Sequence, residues 1–272
     1  MSSSFRVGLV QNSATDDLNH NIAECDQFIH QAVDQGADLI CLPEYFSCLE
    51  KSDAEYIAKG YSETDHPALA HYTALATELK KWILLGSLPI KIAADRVHNR
   101  SYLLNPNGER VATYNKIHLF NVALKRGEMY EESRTVKPGT DTTIVDLPWG
   151  KLGLTVCYDV RFPHLYRTLA QHGADFISVP AAFTATTGEA HWHVLVRARA
   201  IETGSYLLAP GQCGQRPWGR RTYGHSLIVA PWGEILADGG TEPGVVVADV
   251  DKTAVDEARR MIPSLQHDRD FA

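Results

Sequence analysis

The 272-residue sequence is poor in cysteine, contains no long apolar run and carries no excess of positive charge. Each shortage removes a class of protein. Its five cysteines, Cys25, Cys41, Cys48, Cys157 and Cys213, are odd in number and show no CxxC spacing, which argues against a disulfide framework and a four-sulfur metal site. No apolar stretch approaches the roughly 18 residues of a membrane helix, and residues 1–11 hold three serines and a short apolar run rather than a secretory signal. Basic residues number 26 against 33 acidic ones, a formal net charge of -7. That balance leaves no nucleic-acid footprint and disfavours anionic membranes. The expectation is a soluble, cytoplasmic protein with neither a nucleic-acid nor a membrane partner. No glycine-rich loop resembles a phosphate or dinucleotide cradle. No His/Asp/Glu spacing suggests a metal, and the histidines of His191-Trp-His193 stand two apart on a helix, where side chains diverge. A reaction without metal or cofactor is therefore expected.

Present instead is enough apolar material, 44% of residues, to bury one substantial core. Short β-branched runs alternate with amphipathic stretches, the pattern of an α/β chain. Strands are expected at 5–10, 39–42, 82–88, 97–104 and 110–114. Asn105-Pro-Asn-Gly108 joins the last two and is suited to a primed hairpin turn. Helices are expected at 18–35 and 67–81. The polar segment 115–142 reads as loop, and a loop beyond about 12–15 residues in a compact domain is usually functional or disordered. Further strands are expected at 143–147, 152–157, 176–179, 206–208, 226–230, 234–237 and 245–250, and further helices at 162–172, 189–202 and 252–261.

The chain also repeats itself. Gly36-Ala-Asp-Leu-Ile-Cys-Leu-Pro43 matches Gly173-Ala-Asp-Phe-Ile-Ser-Val-Pro180, and Leu104-Asn-Pro-Asn-Gly-Glu109 matches Val229-Ala-Pro-Trp-Gly-Glu234. Helix, strand, helix, strand, hairpin thus occurs twice. Two such halves packed sheet to sheet, with helices outside, make a four-layer α-β-β-α sandwich with an internal two-fold quasi-repeat.

Three residues stand at the ends of these elements. Cys157 closes an apolar strand just before a helix, where α/β folds place reactive groups and backbone N–H groups can meet a developing oxyanion. Position alone fits an inert buried thiol equally well, as it does for Cys25 and Cys41. Glu44 follows the strand ending at Pro43 and there can serve as general base to a thiol, although a solvated acid would look the same. Lys116 lies where the hairpin enters the long loop. Its charge lowers a neighbouring thiol pKa, and its ammonium can hold an oxyanion. His118 beside it reads as structural. A thiol redox protein would want a resolving cysteine, which the spacing does not offer.

Leu42-Pro-Glu44-Tyr-Phe, Tyr114-Asn-Lys116-Ile-His-Leu-Phe and Gly153-Leu-Thr-Val-Cys157-Tyr-Asp-Val-Arg-Phe-Pro163, in that order, resemble the glutamate, lysine and cysteine motifs of the nitrilase, or carbon–nitrogen hydrolase, superfamily. The resemblance runs over essentially the whole chain, 1–272, as one carbon–nitrogen hydrolase domain. It implies a four-layer α-β-β-α fold and a Glu44–Lys116–Cys157 triad, with the Tyr158 backbone N–H beside the oxyanion. A second family glutamate falls among Glu128, Glu131 and Glu132, with Glu132 preferred because Glu132-Ser-Arg-Thr matches the family run. Around Arg161, Phe183 and Thr187 the chain is most similar to the deaminated glutathione amidase branch, and those residues are implied to hold a substrate carboxylate, for which a bidentate guanidinium is suited. Phe120-Asn121-Val departs from the family's Phe-Asp at this loop. The resemblance implies thioester chemistry on the primary amide of a small carboxylate-bearing substrate, deaminated glutathione foremost, giving acid and ammonia, and a homodimer or larger assembly. Omega-amidases acting on α-ketoglutaramate or α-ketosuccinamate, and a non-catalytic scaffold on the same fold, are the alternatives.

Overall fold

A computed structural model of the chain describes residues 3–124 and 128–270. Part of the expected 115–142 loop and the ends of the chain lie outside the described residues. The first half runs β1 (Ser4–Gln11), α1 (Leu18–Asp34), β2 (Leu39–Cys41), α2 (Asp53–Ala58), α3 (Pro67–Leu79), β3 (Trp82–Ala93), β4 (Arg96–Leu104) and β5 (Arg110–Asn115). A small hairpin, β6 (Asn121–Ala123) and β7 (Met129–Glu131), follows and runs into a 3-10 turn at Glu132–Arg134. The second half is β8 (Thr143–Leu147), β9 (Gly150–Leu154), a 3-10 turn at Cys157–Arg161, α4 (Pro163–Gln171), β10 (Phe176–Ser178), α5 (Ala185–Thr203), β11 (Tyr206–Ala209), β12 (Leu227–Val229) and β13 (Ile235–Asp238). The last elements are β14 (Gly244–Asp251) and α6 (Lys252–Met261).

Two six-stranded sheets result, in the orders β14-β1-β2-β3-β4-β5 and β13-β12-β11-β10-β9-β8. Side chains alternate across a strand, and that alternation sorts the layers. Phe5, Val7 and Leu9 of β1 join Leu84, Leu103, Leu152, Leu154, Phe176 and Tyr206 in one core between the sheets. Val10, Ile40, Ile83 and Leu85 face the other way, onto Cys25 and Ile29 of α1 and Leu69, Tyr72 and Leu75 of α3. The second sheet is covered by α4 and α5 through Leu165, Leu169, Trp192 and Val196. Burying both faces of both sheets is what stabilises such a stack, at about 25 cal/mol per Å² of apolar surface. The layer order is α-β-β-α, as the sequence predicts.

The quasi-repeat holds down to single hydrogen bonds. Gly36 and Gly173 both sit at positive φ, 85° and 95°, where glycine carries no Cβ penalty. The N–H of each donates back into its helix, to Val33 and Ala170 carbonyls at 2.8 and 3.0 Å. The Asp38 N–H donates to Arg6 and the Asp175 N–H to Lys151, both at 2.8 Å. Each aspartate side chain then accepts from that same strand residue, Arg6 N–H at 3.1 Å and Lys151 N–H at 2.9 Å. In each half two parallel pairings are followed by two antiparallel ones.

Four local expectations change. The Asn105–Gly108 turn is not primed: only Gly108 is at positive φ, 76°, its N–H donates to Asn105 O, and the Asn105 N–H donates to Glu109 O. Proline fixes φ near -65°, which suits the first central position of a type I turn and not of its mirror image. The regular β9 ladder ends at Leu154 rather than 157, although the Thr155 and Cys157 N–H groups still donate to Ser178 and Pro180 carbonyls. Helix α5 starts at Ala185, not 189, because Thr184 caps it by accepting from the Thr187 N–H. The long polar segment contains the β6–β7 hairpin rather than loop throughout.

Candidate active site

Both sheets deliver their strand ends to one cavity of about 820 Å³, with Glu44, Lys116, Glu132, Cys157, Tyr158, Phe183 and Thr187 among the residues on its wall. Glu44 follows β2 on a turn whose next residue, Tyr45, has φ of 54°. The Tyr45 N–H is held by Ser87 Oγ at 3.1 Å. Close by, Gly86 lets β3 pass: a Cβ there would lie 1.9 Å from the Leu42 carbonyl oxygen. Cys157 sits at φ 50°, a conformation a non-glycine residue keeps only when its surroundings fix it. Here the fixing residue is Asp159. Its buried carboxylate accepts from the Val156 N–H (2.9 Å), Tyr114 Oη (2.7 Å) and the His118 N–H (3.0 Å), and pairs with His118 Nδ1 at 2.7 Å. His118 also stacks on Phe162, ring centroids 3.6 Å apart. It is a structural residue, as expected.

The Lys116 ammonium is buried between two carboxylates. Its Nζ donates to Glu44 Oε1 at 2.8 Å and to Glu132 Oε2 at 2.9 Å. Asn99 Nδ2 spans the same two acids, 2.9 Å from Glu44 Oε1 and 3.1 Å from Glu132 Oε1. Glu44 Oε2 accepts the Ala182 N–H at 2.9 Å, and Glu132 Oε2 accepts the Phe120 N–H at 2.6 Å. The Cys157 thiol lines the same cavity as Glu44 and lies within reach of its negative charge. Of the three candidate glutamates, Glu132 is therefore the one beside the lysine. Glu128 instead meets Thr186 Oγ1, and Glu131 pairs with Arg134.

Charge follows from this geometry. Burial pushes the Glu44 carboxyl up, but the Lys116 charge and the hydrogen bonds from Lys116, Cys157 and Ala182 outweigh it and hold the group below its ordinary value. Burial pushes the Lys116 ammonium down, and the charges of Glu132 and Glu44 overcome that, keeping it protonated. The thiol differs from the sequence expectation. Lys116 does pull it down, but burial and the negative charge of Glu44 prevail and hold it well above the ordinary cysteine value. The resting pair is a neutral thiol facing a carboxylate, which suits proton transfer to a general base better than a standing thiolate. Burial pushes Cys48 and Cys213 up to about 12 as well, but only Cys157 has this base and this cation beside it.

Thr187 is buried in the first turn of α5, its Oγ1 2.8 Å from Thr184 Oγ1. Phe183 packs on Trp192, ring centroids 4.9 Å apart. Arg161 is set behind the wall: its guanidinium carbon lies 5.2 Å from the Phe183 ring centre and 5.8 Å from that of Tyr158, and Nη2 is 3.3 Å from His191 Nδ1. It makes no ion pair with an acid among the described residues. The Tyr158 N–H opens the Cys157–Arg161 turn, where first-turn amides have no partner within the helix.

Sequence reasoning missed several supports. Asn99 is one polar residue within a strand, and nothing local marks it as a bridge between two acids. Gln212 Nε2 donates to the Glu44 and Tyr45 carbonyls at 2.8 and 2.9 Å. Arg216 is buried against the carbonyls of Ala14, Cys213 and Gly214, and burial pushes it down to about 10. His191 and His193 do diverge, but His193 meets His225 and Asp238, whose donor atoms all lie within 4.8 Å of one another.

The carbon–nitrogen hydrolase family model matches residues 6–260. A deaminated glutathione amidase of Synechocystis sp. is 41% identical over 97% of both chains. The C. elegans NitFhit protein superposes with a TM-score of 0.92 at 35% identity, covering 98% of this chain and 66% of that longer one. A glutamate-to-glutamine variant of the amidase from Nesterenkonia sp. AN1, which carries the acetamide moiety of fluoroacetamide covalently at its active site cysteine, matches at 28% identity and a TM-score of 0.81, covering 94% of each chain. With its strand ends converging on one buried thiol, carboxylate and lysine, the chain belongs to the carbon–nitrogen hydrolase family and is a hydrolase of non-peptide carbon–nitrogen bonds.

Proposed function

We propose that the chain is a thiol-dependent amidase that cleaves deaminated glutathione, with Cys157 as nucleophile. The observation that carries the reading is Cys157 sharing one cavity with Glu44 and Lys116, while Lys116 bridges Glu44 and Glu132. The cavity, about 820 Å³, supports a tripeptide-sized ligand: sites for molecules of that class run roughly 300–1,000 Å³, and α-ketoglutaramate would leave most of it empty. Glutathione holds only secondary amides. The group released is then the amine of a dipeptide, whereas ammonia is released from primary amides such as α-ketoglutaramate.

In this mechanism Glu44 takes the thiol proton as sulfur attacks the amide carbonyl. The oxyanion is held by Lys116 Nζ and the Tyr158 N–H. Glu44 returns the proton to the departing nitrogen, which leaves a thioester. Water then attacks the thioester, giving its proton to Glu44 or Glu132; the acid departs and the thiol is restored. Covalent catalysis thereby divides one hard step into two. Arg161, free of an acidic partner and flanked by Phe183, is assigned to the carboxylate of the oxo-acid end, with Phe183 and Thr187 beside it. The proposal includes a cytoplasmic location, which the five free thiols support. It also includes a homo-oligomer, supported by exposed Val194 and Ile201 on α5 next to exposed Trp232 and Leu236 of the β12–β13 hairpin. Light scattering on the purified chain tests the assembly.

The deciding experiment offers deaminated glutathione, α-ketoglutaramate, α-ketosuccinamate and a simple nitrile side by side, following acid, amine and ammonia separately. Preferred turnover of deaminated glutathione with dipeptide release is expected. Preferred ammonia release from α-ketoglutaramate would move the chain to the omega-amidases, and no turnover of any would leave a scaffold.

A further inference from the structure

We infer a second site, away from the cavity: His193, His225 and Asp238 form a surface site for a divalent late transition metal such as Zn²⁺. Three elements supply the donors. His193 stands on α5, His225 precedes β12 and Asp238 ends β13. His193 Nε2 lies 3.0 Å from Asp238 Oδ2, and His225 Nδ1 lies 2.9 Å from Oδ1 and 3.1 Å from Oδ2. One carboxylate oxygen is thus almost equidistant from two imidazole nitrogens. Ligands about 2.0–2.2 Å from a tetrahedral zinc stand roughly 3.3 Å from one another, close to these imidazole–carboxylate separations, and the donor atoms as a set lie within 4.8 Å of one another. Two imidazoles and a carboxylate leave the fourth position to water. All three side chains are partly open to solvent, which gives the ion a way in.

The groups around the donors orient them as outer partners of metal sites do. His225 is at φ 53°, with its N–H donating to the Gly240 carbonyl at 2.6 Å. The Gly240 N–H in turn donates to Asp238 Oδ1 at 2.9 Å. Trp192, the neighbour of His193, donates Nε1–H to the His225 carbonyl at 2.8 Å. Tyr223 stacks on the His225 ring, centroids 4.5 Å apart, and fixes its plane. Metal binding needs the lone pairs that face the carboxylate, so each neutral imidazole moves its proton to its other nitrogen, His193 Nδ1 and His225 Nε2. The bound ion clamps α5 to the β12–β13 hairpin.

The test uses the full chain as Cys157→Ala, so that no catalytic thiol competes for metal. Zinc is titrated against a chromophoric chelator, and Co²⁺ serves as the spectroscopic probe. One equivalent per chain is expected, together with cobalt d–d bands lacking a thiolate charge-transfer band and a melting temperature that rises with zinc but not with Mg²⁺. His193→Ala, His225→Ala and Asp238→Asn should each weaken zinc by about tenfold or more, with metal-free melting curves showing that each variant is folded. No saturable binding at micromolar zinc, or binding undiminished in folded His193→Ala and Asp238→Asn, would show that the three residues form only a hydrogen-bonded cluster, and overturns the inference.

Discussion

At the scale of single residues, the site is a problem of shared charge. One ammonium serves two carboxylates, Glu44 buried and Glu132 partly buried, and an amide nitrogen, that of Asn99, spans the pair. Cys157→Ala removes the attacking atom and little else: turnover should fall below detection while the melting temperature stays within a few degrees of the parent, and turnover near the parent's would refute the assignment. Asn99→Ala leaves carboxylate lone pairs unpaired in a buried setting, which costs about 1–3 kcal/mol, and chemical denaturation should show that loss. Arg161→Lys should raise KM for substrates bearing the free carboxylate. An equal loss on amides without it would count against that role. Acid also acts here. The Glu44 carboxyl is held below its ordinary value in the fold, so its contribution to stability is present above the unfolded value, near 4.3, and is lost as pH falls through the lower folded value. Urea midpoints measured downward from pH 7 should therefore fall more steeply below about pH 4 in the parent than in Glu44→Gln.

At the scale of elements, the chain was readable where burial imposes a period. β1 and α1 are predicted to within a residue or two because β1 is a nearly continuous apolar run and α1 is apolar along one face. The β6–β7 hairpin is not, since Asn121-Val-Ala and Met129-Tyr-Glu are half-exposed three-residue strands with no apolar face to read. The start of α5 was missed because its first turn, Ala185-Thr-Thr-Gly188, is small and polar and is defined by the Thr184 cap and by Tyr223, whose ring lies 2.3 Å from a Cβ placed on Gly188. Of the site, the glutamate, lysine and cysteine were legible as ordered motifs. Asn99, Asp159, Gln212 and Arg216 were not, because their roles are long-range hydrogen bonds with no local pattern. Gly86→Ala tests one element directly. The added methyl meets the Leu42 carbonyl beside Glu44, and backbone there yields little, so a destabilisation of about 3 kcal/mol with a fall in kcat is expected. Thermal melting and single-turnover rates measure the two effects.

At the scale of the whole molecule, the residues proposed for catalysis come from both halves. Glu44 and Lys116 belong to the first half and Cys157 to the second, and the Ala182 N–H reaches from the second half to hold Glu44. The seam between the sheets is therefore where function resides, while the repeated Gly-Ala-Asp corners sit where each half turns from helix to strand. The halves are not separable blocks. β14, made near the end of the sequence, pairs with all of β1, from Ser4–Asp251 to Gln11–Gly244. A chain emerging from the ribosome thus has its first strand at an open sheet edge until β14 has been made. A chain cut short before β14 would leave that edge, with its unpaired N–H and C=O groups, open to pairing with another chain.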